Sequence, residues 1–479
     1  MPNREQPVVE LKSLVELKQA AVGLAPPFSV DVPGGQPLVC EEILRHLPGR
    51  RLAFRSRWGG KPVMVKLFFR QRDFLQERTG LAAIAGAKIP VPREVGSFRD
   101  EGERGGFLLL TEFLEDSVSL QNCYQQQSLA EFAHWLRQAV SLTGQLHQAG
   151  YMQADIHLDN FLAKGDRLYL IDGGGVAPVG QPLLNLALLY AQMTPEYDVL
   201  AENTLSAYGA DVPSTADFLR LVEKMRERRI RHYLAKSTRS CSQFLVPPVK
   251  SGFAVLEREF ASDRLLKLLA EPEAEFGQAQ FLKRGNTATV VKVAGDHGDW
   301  VLKRYNIKNF WHGLSRCWRP SRAWISWKSA HRLELLGIRT PRPVAMCEER
   351  FGPLRQRAYL VTEYVGDDNL QAWLLRCDGR EIPAWLDRQV VQLFDNLWRG
   401  STSHGDMKAT NLLVVDEHLE LIDLDALQHH RSRRCFIRQF RKDLQRFMDN
   451  WQGDTWQHFE ELLRPIATRS GITLVNKKV

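Results

Sequence analysis

Apolar positions along the chain fall into two long blocks, each strand-like at its start and helix-like toward its end. In the first block, Arg51–Arg57 and Pro62–Phe69 alternate or run apolar around Trp58-Gly59-Gly60, which predicts two strands joined by a hairpin turn. A later apolar run ends at Thr111-Glu112-Phe113. Helical periodicity then dominates from Leu129 to Ala149, an apolar helical run begins near Leu183, and a charge-rich helical region covers Glu223–Arg239 before Pro247-Pro248. The second block opens with Phe281–Val293, read as strand, small-residue turn and strand, and continues with a strand over Trp300–Tyr305. A helix is expected over about Ser321–Leu336, ended by Gly337, and an apolar run closes at Thr362-Glu363-Tyr364. Helical spacing resumes by Phe436 and carries Phe440, Leu444, Phe447 and Trp451. Ahead of both blocks, residues 1–45 read as an irregular leader with one short amphipathic segment (Leu11, Leu14, Val15, Leu17).

Both blocks carry the same polar signature. Asp155, Asn160 and Asp172 are spaced by 5 and 12 residues, and Asp406, Asn411 and Asp423 repeat those intervals 251 positions later. Thr111-Glu112-Phe113 and Thr362-Glu363-Tyr364 share that offset. Phosphoryl transfer from a nucleotide needs one carboxylate to orient the acceptor hydroxyl, an amide oxygen to hold metal, and a second carboxylate for the Mg²⁺ that bridges the phosphates. One such spacing arises easily by chance; two at one offset with a third shared anchor point to an internal duplication. The pattern resembles the catalytic loop and metal-binding Asp of the protein-kinase-like fold. The expected architecture is therefore α+β: two tandem protein-kinase-like bilobal domains, each with a small antiparallel-sheet N-lobe and a mostly helical C-lobe. Boundaries are expected at 1–45 for the leader, 46–247 for the first domain and 248–479 for the second.

Each block also places one lysine in an otherwise apolar strand. Lys66, with Glu77 on the next helix, fits a phosphate-binding lysine and its helix partner. Lys303 is the counterpart in the second block, but no Asp or Glu occurs between Asp299 and Glu334, so its helix offers no acidic partner; Ser326 or Lys328 stands where Glu77 does. Gly285 marks the expected phosphate-covering turn, with one glycine where three are usual. Two residues before the loop Asp the first block has Gln153 and the second His404; two after it stand His157 and Lys408, the latter able to touch a transferring phosphate. Both blocks keep the loop Asp, the metal Asn and the metal Asp, so either one, or both, can be the working site.

Composition narrows the setting. The 479 residues, 44% hydrophobic and 25% charged, describe an ordinary globular chain with room for two or three domains. Seven cysteines stand singly at 40, 123, 241, 317, 347, 377 and 435, without a C-x-x-C pair, which argues for a reducing compartment and against disulfides or structural zinc. The longest apolar run, near Leu183–Met193, is too short to span a bilayer, and no apolar signal core opens the chain. A cytoplasmic protein with at most peripheral membrane contact is expected. The net charge of +8 favours anionic partners.

The short segment after each metal Asp narrows the acceptor. Asp172 leads into Gly173-Gly174-Gly175-Val176-Ala177-Pro178 and an apolar helical run begins near Leu183; after Asp423 helical periodicity starts by Phe436. Neither leaves room for a peptide-docking segment, so a small-molecule or glycolipid hydroxyl is the better acceptor. Lys303, Arg304, Lys308, Arg316, Arg319, Arg322, Lys328, Arg332, Arg339 and Arg342, interleaved with Trp311, Trp318, Trp324 and Trp327, face only Glu334 within their own stretch. Arg431, Arg433, Arg434, Arg438, Arg441 and Lys442 form a second basic cluster. Both fit contact with an anionic lipid surface, and no nucleic-acid module accompanies them, so no nucleic-acid partner is expected.

On His404-Gly405-Asp406 through Asn411-Leu412-Leu413, Leu421-Ile422-Asp423, the Gly337-Ile338…Pro341-Arg342-Pro343 turn and the short segment after Asp423, the chain resembles the lipopolysaccharide kinase family. The first block looks like a diverged relative through Asp155…Asn160-Phe161-Leu162 and Ile171-Asp172-Gly173-Gly174. The resemblance implies ATP- and Mg²⁺-dependent transfer to a heptose or Kdo hydroxyl of the lipopolysaccharide inner core, at the cytoplasmic face of the inner membrane. It implies that Asp155 or Asp406 orients the acceptor, that Asn160 with Asp172 or Asn411 with Asp423 holds Mg²⁺, and that Lys66 or Lys303 grips the phosphates. Two alternatives stay open: a tandem pseudokinase scaffold for core assembly, and a kinase of a soluble metabolite or protein.

Overall fold

The computed structural model describes residues 10–20, 24–32, 36–99, 106–209, 212–249, 252–277, 279–306, 320–351, 354–377 and 381–476. The fold is α+β with antiparallel sheets, and packing divides the chain into two units: Met1–Met193 with Tyr197–Met225, and Thr194–Glu196 with Arg226–Val479. The division falls inside the helix Thr215–Lys236, ahead of Pro247-Pro248. Phe218, Val222 and Met225 of that helix pack into the first core, whereas Ile230 packs into the second.

The first unit opens with a five-stranded sheet. Its order is Glu42–Leu47, Arg51–Trp58, Lys61–Phe68, Phe107–Glu112, Glu94–Arg99, all neighbours antiparallel. Gly59 and Gly60 both have positive φ, +57° and +76°, as the two-residue hairpin turn between Arg51–Trp58 and Lys61–Phe68 requires. The leader is not irregular. Glu10–Lys12, Phe28–Val30 and Leu38–Cys40 form a small sheet, and the helix Leu14–Gln19 starts on a Ser13/Glu16 capping box. Leu17, Phe28, Val30 and Leu38 are fully buried in one cluster with Leu52, Phe54 and Val65, so these early residues help build the first unit's core.

The second unit has a seven-stranded sheet. Five of its strands, Gln280–Arg284, Ala288–Ala294, Asp299–Tyr305, Leu354–Glu363 and Pro343–Phe351, follow the same chain order and pairing as the first sheet. Phe253–Glu257 and Phe244–Leu245 extend it beyond Pro343–Phe351. The registers also agree. Lys66 lies opposite Leu109 with Val63 opposite Glu112, and Lys303 lies opposite Leu360 with Trp300 opposite Glu363.

Helices supply the rest of each core. Leu129–Gln148, started by a Ser128/Glu131 capping box, buries Phe132, Leu136, Ala139 and Val140; Ala384–Arg399 buries Leu386, Val390, Leu393, Phe394 and Leu397. Both sets follow the 3.6-residue period, and each large apolar side chain buried in this way contributes about 1.5–3 kcal/mol. In each unit a short 3₁₀ turn, Leu158–Asn160 or Ala409–Asn411, then leads into a tight hairpin: Phe161–Lys164 with Arg167–Leu170, and Leu412–Val415 with His418–Leu421. The turn ends at the Asn of the repeated signature and the hairpin ends just before its second Asp. That hairpin brings residues separated by twelve positions back beside one another.

Candidate active site

The two loops are built with the same hydrogen bonds. Asn160 Nδ2 donates to the Asp155 carbonyl at 3.1 Å, and Asn411 Nδ2 to the Asp406 carbonyl at 2.9 Å. The Ile171 amide donates to the Asn160 carbonyl at 3.0 Å, and the Ile422 amide to the Asn411 carbonyl at 2.9 Å. With each Asn's Nδ2 spent on the loop, its Oδ1 is the end left to meet a cation. In both units the Asn and the second Asp are thus held side by side by backbone, and the arrangement does not depend on either side chain finding the other.

The lysines are held differently. In the first unit Lys66 Nζ donates to Glu77 Oε1 and lies 3.4 Å from the Ile171 carbonyl. Glu77 is completely buried. Its carboxylate also accepts from the Gly174 amide at 3.0 Å and the Gly173 amide at 3.4 Å, with Arg51 Nη1 at 3.7 Å. The expected Lys66–Glu77 pair therefore forms, and it ties the helix Gln71–Gly86 to the glycines after Asp172. Those glycines are needed: a Cβ on Gly80 would sit 2.0 Å from the Gly173 carbonyl oxygen, and one on Gly173 2.1 Å from that of Glu77.

In the second unit Lys303 Nζ donates to Asp423 Oδ1 at 2.5 Å. Burial works against its charge, but Tyr305, Asp423 and Asp425 outweigh it and hold the Lys303 pKa above the ordinary lysine value. Burial likewise works against the Asp423 carboxylate, and Lys303, Lys283 and His404 outweigh it, so this carboxyl stays below its ordinary range. The helix position expected to lack an acid holds Ser326, whose Oγ lies 2.8 Å from Tyr305 Oη. A different pair joins the helix Arg322–Leu335 to the loop: Arg322 Nε meets Asp425 Oδ2 at 2.9 Å. Asp423 adopts left-handed backbone, φ +64° and ψ +53°, a conformation that Asp tolerates better than most residues and that turns the chain into the 3₁₀ turn Leu424–Ala426. Lys283, Lys303, Arg322, Asn411 and Asp423 line one pocket of 440 Å³, floored by Leu360 and bounded by Glu363 and Val365. Gly285 sits in the turn above, its carbonyl accepting from Asn306 Nδ2 at 3.0 Å; its neighbours Lys283 and Thr287 reach the pocket lining, and Gly285 does not.

The loop carboxylates differ as well. Asp155 is 84% exposed at its side chain, and among the described residues its carboxylate meets only His157, at 2.9 Å. Asp406 is half-buried, with Lys408 Nζ at 2.7 Å on one oxygen and Arg446 Nε at 3.5 Å from the other. His404 is fully buried; its Nδ1 accepts from the Asp406 amide at 3.4 Å and its Nε2 donates to the Ile422 carbonyl at 3.0 Å, so burial keeps a neutral ring between the two halves of the site. Gln153 replaces that link with an amide, donating from Nε2 to the Asp172 carbonyl at 2.8 Å.

Asp443 gave no hint of a site role in sequence. Buried on the helix Arg433–Met448, it accepts from the His404 amide at 2.6 Å and the Gly405 amide at 2.9 Å. Burial pushes its carboxyl up to about 7 against those two donors. The usable signal was an Asp on the apolar face of that helix, between Phe440 and Phe447. The first unit anchors its loop with neutral amides: Asn185 Nδ2 donates to the Gln153 carbonyl at 2.8 Å and Gln192 Nε2 to the Ile156 carbonyl at 3.1 Å. Asp425, Arg446 and Lys283 were also missed, because no local pattern marks them.

Much of the first basic, Trp-rich stretch is tied to acidic partners or to the core, although Arg339 and Arg342 are exposed. Arg322 pairs with Asp425, Arg332 with Glu227, and Arg342 with Glu257 and Glu259. Trp327 is fully buried and donates from Nε1 to the Ser237 carbonyl at 2.8 Å. Arg322, Arg332 and Arg342 therefore have acidic partners from outside their own stretch, and Trp327 belongs to the core rather than to an exposed face. Lys308, Arg316, Arg319, Trp311 and Trp318 lie outside the described residues. Among the described residues no helix is long and apolar enough to cross a membrane, and the six described cysteines are unpaired.

Among the described residues no group of three or more His, Cys, Asp or Glu could hold a metal ion. Mg²⁺ bound to a nucleotide takes one or two protein oxygens and completes its shell from phosphate and water. Asn411 Oδ1 and the Asp423 carboxylate are hard oxygen donors of this kind, beside a pocket that also carries Lys303 and Lys283.

A solved structure described as WaaP in complex with acyl carrier protein is similar over 40% of this chain and 88% of its own, at 19% identity and a TM-score of 0.32. The RIO-type serine/threonine-protein kinase Rio1 of Haloferax volcanii is 30% identical over 178 residues, which are 33% of this chain and 58% of that protein, so the chain spans less than two thirds of that relative's length. The model of the Lipopolysaccharide kinase (Kdo/WaaP) family matches residues 63–172 and 271–464, together more than half of the chain. The first segment runs from three residues before Lys66 to Asp172, and the second contains Lys303, Asp406, Asn411 and Asp423. The chain belongs to the lipopolysaccharide kinase (Kdo/WaaP) family, a family of phosphotransferases.

Proposed function

We propose that the chain is a tandem of two kinase-like domains. Phosphoryl transfer from ATP to a sugar hydroxyl of the lipopolysaccharide inner core takes place at the Asp406 site, at the cytoplasmic face of the inner membrane. The observation that carries this reading is the pocket of 440 Å³ that gathers Lys303, Asn411 and Asp423, together with Asp406 held to Asn411 through its own carbonyl. The matching strand order, lysine register and loop hydrogen bonds of the two units support the duplication.

In this reading Asp406 orients the acceptor hydroxyl and takes its proton as the bond from its oxygen to phosphorus forms and the bond to the nucleoside diphosphate breaks. Lys408, 2.7 Å from Asp406, lies where it offsets charge on the transferring phosphoryl group. Lys303 and Lys283 hold phosphate oxygens, and Asn411 with Asp423 holds Mg²⁺. When bound, ATP supplies the phosphoryl group and Mg²⁺ offsets the phosphate charge. His404, neutral and buried, fixes the distance between the loop and Ile422 and transfers no proton.

The first unit keeps Lys66, Glu77, Asn160 and Asp172 in comparable order, so nucleotide binding there is part of the proposal. Its Asp155 faces solvent beside His157, without the Lys408 and Arg446 contacts of Asp406. That difference favours a supporting role for the first unit. The test is ATP turnover on deacylated inner-core oligosaccharide by the wild type, Asp155→Ala and Asp406→Ala. Transfer should fall at least a thousandfold in Asp406→Ala and less than tenfold in Asp155→Ala. Equal activity of Asp406→Ala and wild type overturns the assignment, and nucleotide binding without transfer to any core sugar favours the scaffold alternative.

A further inference from the structure

The helix Arg433–Met448 carries six cations, Arg433, Arg434, Arg438, Arg441, Lys442 and Arg446, and its single carboxylate, Asp443, is buried beneath the loop. Two of the six serve the fold: Arg433 stacks on Trp398 with its guanidinium 4.1 Å from the ring centre, and Arg441 donates to the Ser470 carbonyl at 2.7 Å. Arg434, Arg438, Lys442 and Arg446 are spaced four apart and exposed, so they form one stripe that drifts about 40° around the helix per step and runs roughly 18 Å along it. Among the described residues Arg434, Arg438 and Lys442 have no carboxylate partner. Arg446 closes the stripe 3.5 Å from Asp406. The stripe thus ends at the carboxylate that orients the acceptor, on the same helix whose buried face holds the loop through Asp443. Unpaired like charges in a row repel one another, and Arg434 also stands in a first turn without an acidic residue, against the helix dipole. Such a local cost is expected where charge serves binding.

We infer that Arg434, Arg438 and Lys442, continued by Arg446, form the acceptor track. They take phosphate or carboxylate groups on the same saccharide whose neutral hydroxyl is presented to Asp406. This rests on Asp406 being the transfer site, and it narrows the substrate to a polyanionic saccharide in which acidic groups flank the reacting sugar. Arginine forks and a lysine ammonium pair readily with both groups. Opposite charge along the track also steers the acceptor's approach and sets its register.

The experiment uses the full chain and the doubly substituted Arg438→Gln/Lys442→Gln protein; both positions are exposed and clear of the loop, so the fold is retained. Direct binding of deacylated inner-core oligosaccharide is measured by calorimetry, before and after carboxyl reduction and phosphatase treatment of the sugar, with ATP turnover followed in the same samples. The wild type should bind the untreated sugar at least tenfold more tightly than the variant does, and the two proteins should bind the neutralised sugar alike. Equal affinity of wild type and variant for the untreated sugar, or no binding by the wild type, overturns the track. So does a variant that binds sugar normally but loses salt-sensitive sedimentation with anionic vesicles, since the stripe is then a membrane contact. Normal discrimination in binding with no turnover by the wild type supports the track and rejects the kinase reading instead.

Discussion

Lys303 and Asp423, 120 positions apart in sequence, meet at 2.5 Å, so the second unit's strand lysine neutralises its loop carboxylate directly. In the first unit a helix carboxylate, Glu77, takes the lysine and leaves Asp172 to the Gly174 amide at 3.1 Å. The missing helix acid is thus compensated within the pocket itself.

Lys303→Met should destabilise the protein at pH 7 by about 1–3 kcal/mol, the buried-pair figure discounted because the Asp423 side chain is 33% exposed. Asp423 has its carboxyl held below the ordinary 3.8, so the pair's contribution is present above that value and lost as pH falls through the folded pKa. Lys303 is held above 10.5, so nothing is lost on the alkaline side until beyond the ordinary lysine range. Urea unfolding of both proteins from pH 7 to pH 3 checks this; a gap that stays constant across that range contradicts it.

Glu77→Gln should cost more, about 3–5 kcal/mol, because Glu77 is wholly buried and an amide leaves Lys66 without its counter-charge and sets one N–H against another. Guanidinium unfolding followed by circular dichroism reads this directly. A loss below about 1 kcal/mol would mean that the pair is far wetter than its burial implies.

Gly80→Ala and Gly86→Ala lie on the same helix and should have opposite effects. A Cβ at position 80 would press 2.0 Å from the Gly173 carbonyl, whereas position 86 has nothing within 4 Å. The first substitution should cost about 1–3 kcal/mol or more through overpacking, and the second should be neutral or stabilising by up to about 1 kcal/mol. Paired melting curves decide it, with a lower Tm expected for position 80 alone.

Asp443→Asn should slow transfer by about 10–100-fold, because the catalytic loop loses one of the two amides that Asp443 accepts, a defect of roughly 1–3 kcal/mol. It should also remove a pH dependence. The carboxyl is pushed from 3.8 up to about 7 in the folded protein, so the wild type loses stability as pH rises between those values. The Asn variant lacks this slope, and stability measured from pH 4 to pH 8 compares the two.

Much of the architecture was legible because it is local. Alternation around Trp58-Gly59-Gly60 marked the paired strands Arg51–Trp58 and Lys61–Phe68, and the Phe436, Phe440, Leu444, Phe447 spacing marked the helix Arg433–Met448. The intervals from Asp to Asn to Asp were legible for the same reason: a 3₁₀ turn and a tight hairpin span a fixed number of residues, so spacing alone brings the groups together.

Partner choice was not local. Arg332 with Glu227, Arg342 with Glu257, Lys303 with Asp423 and Asp443 with the His404 amide all join residues far apart in sequence, and the burial of Trp327 depends on Ser237 ninety positions earlier. Arg322, Arg332 and Arg342 stand in one predominantly basic stretch of sequence, yet each is paired with a carboxylate brought from elsewhere. Sequence by itself determined which backbone elements form and the chemistry that the loops carry, since sterics and hydrophobic period act over a few residues. Only the tertiary structure decided which charges are paired, which carboxylate is buried and which cations stay exposed beside Asp406, because desolvation and Coulomb attraction depend on distance in space.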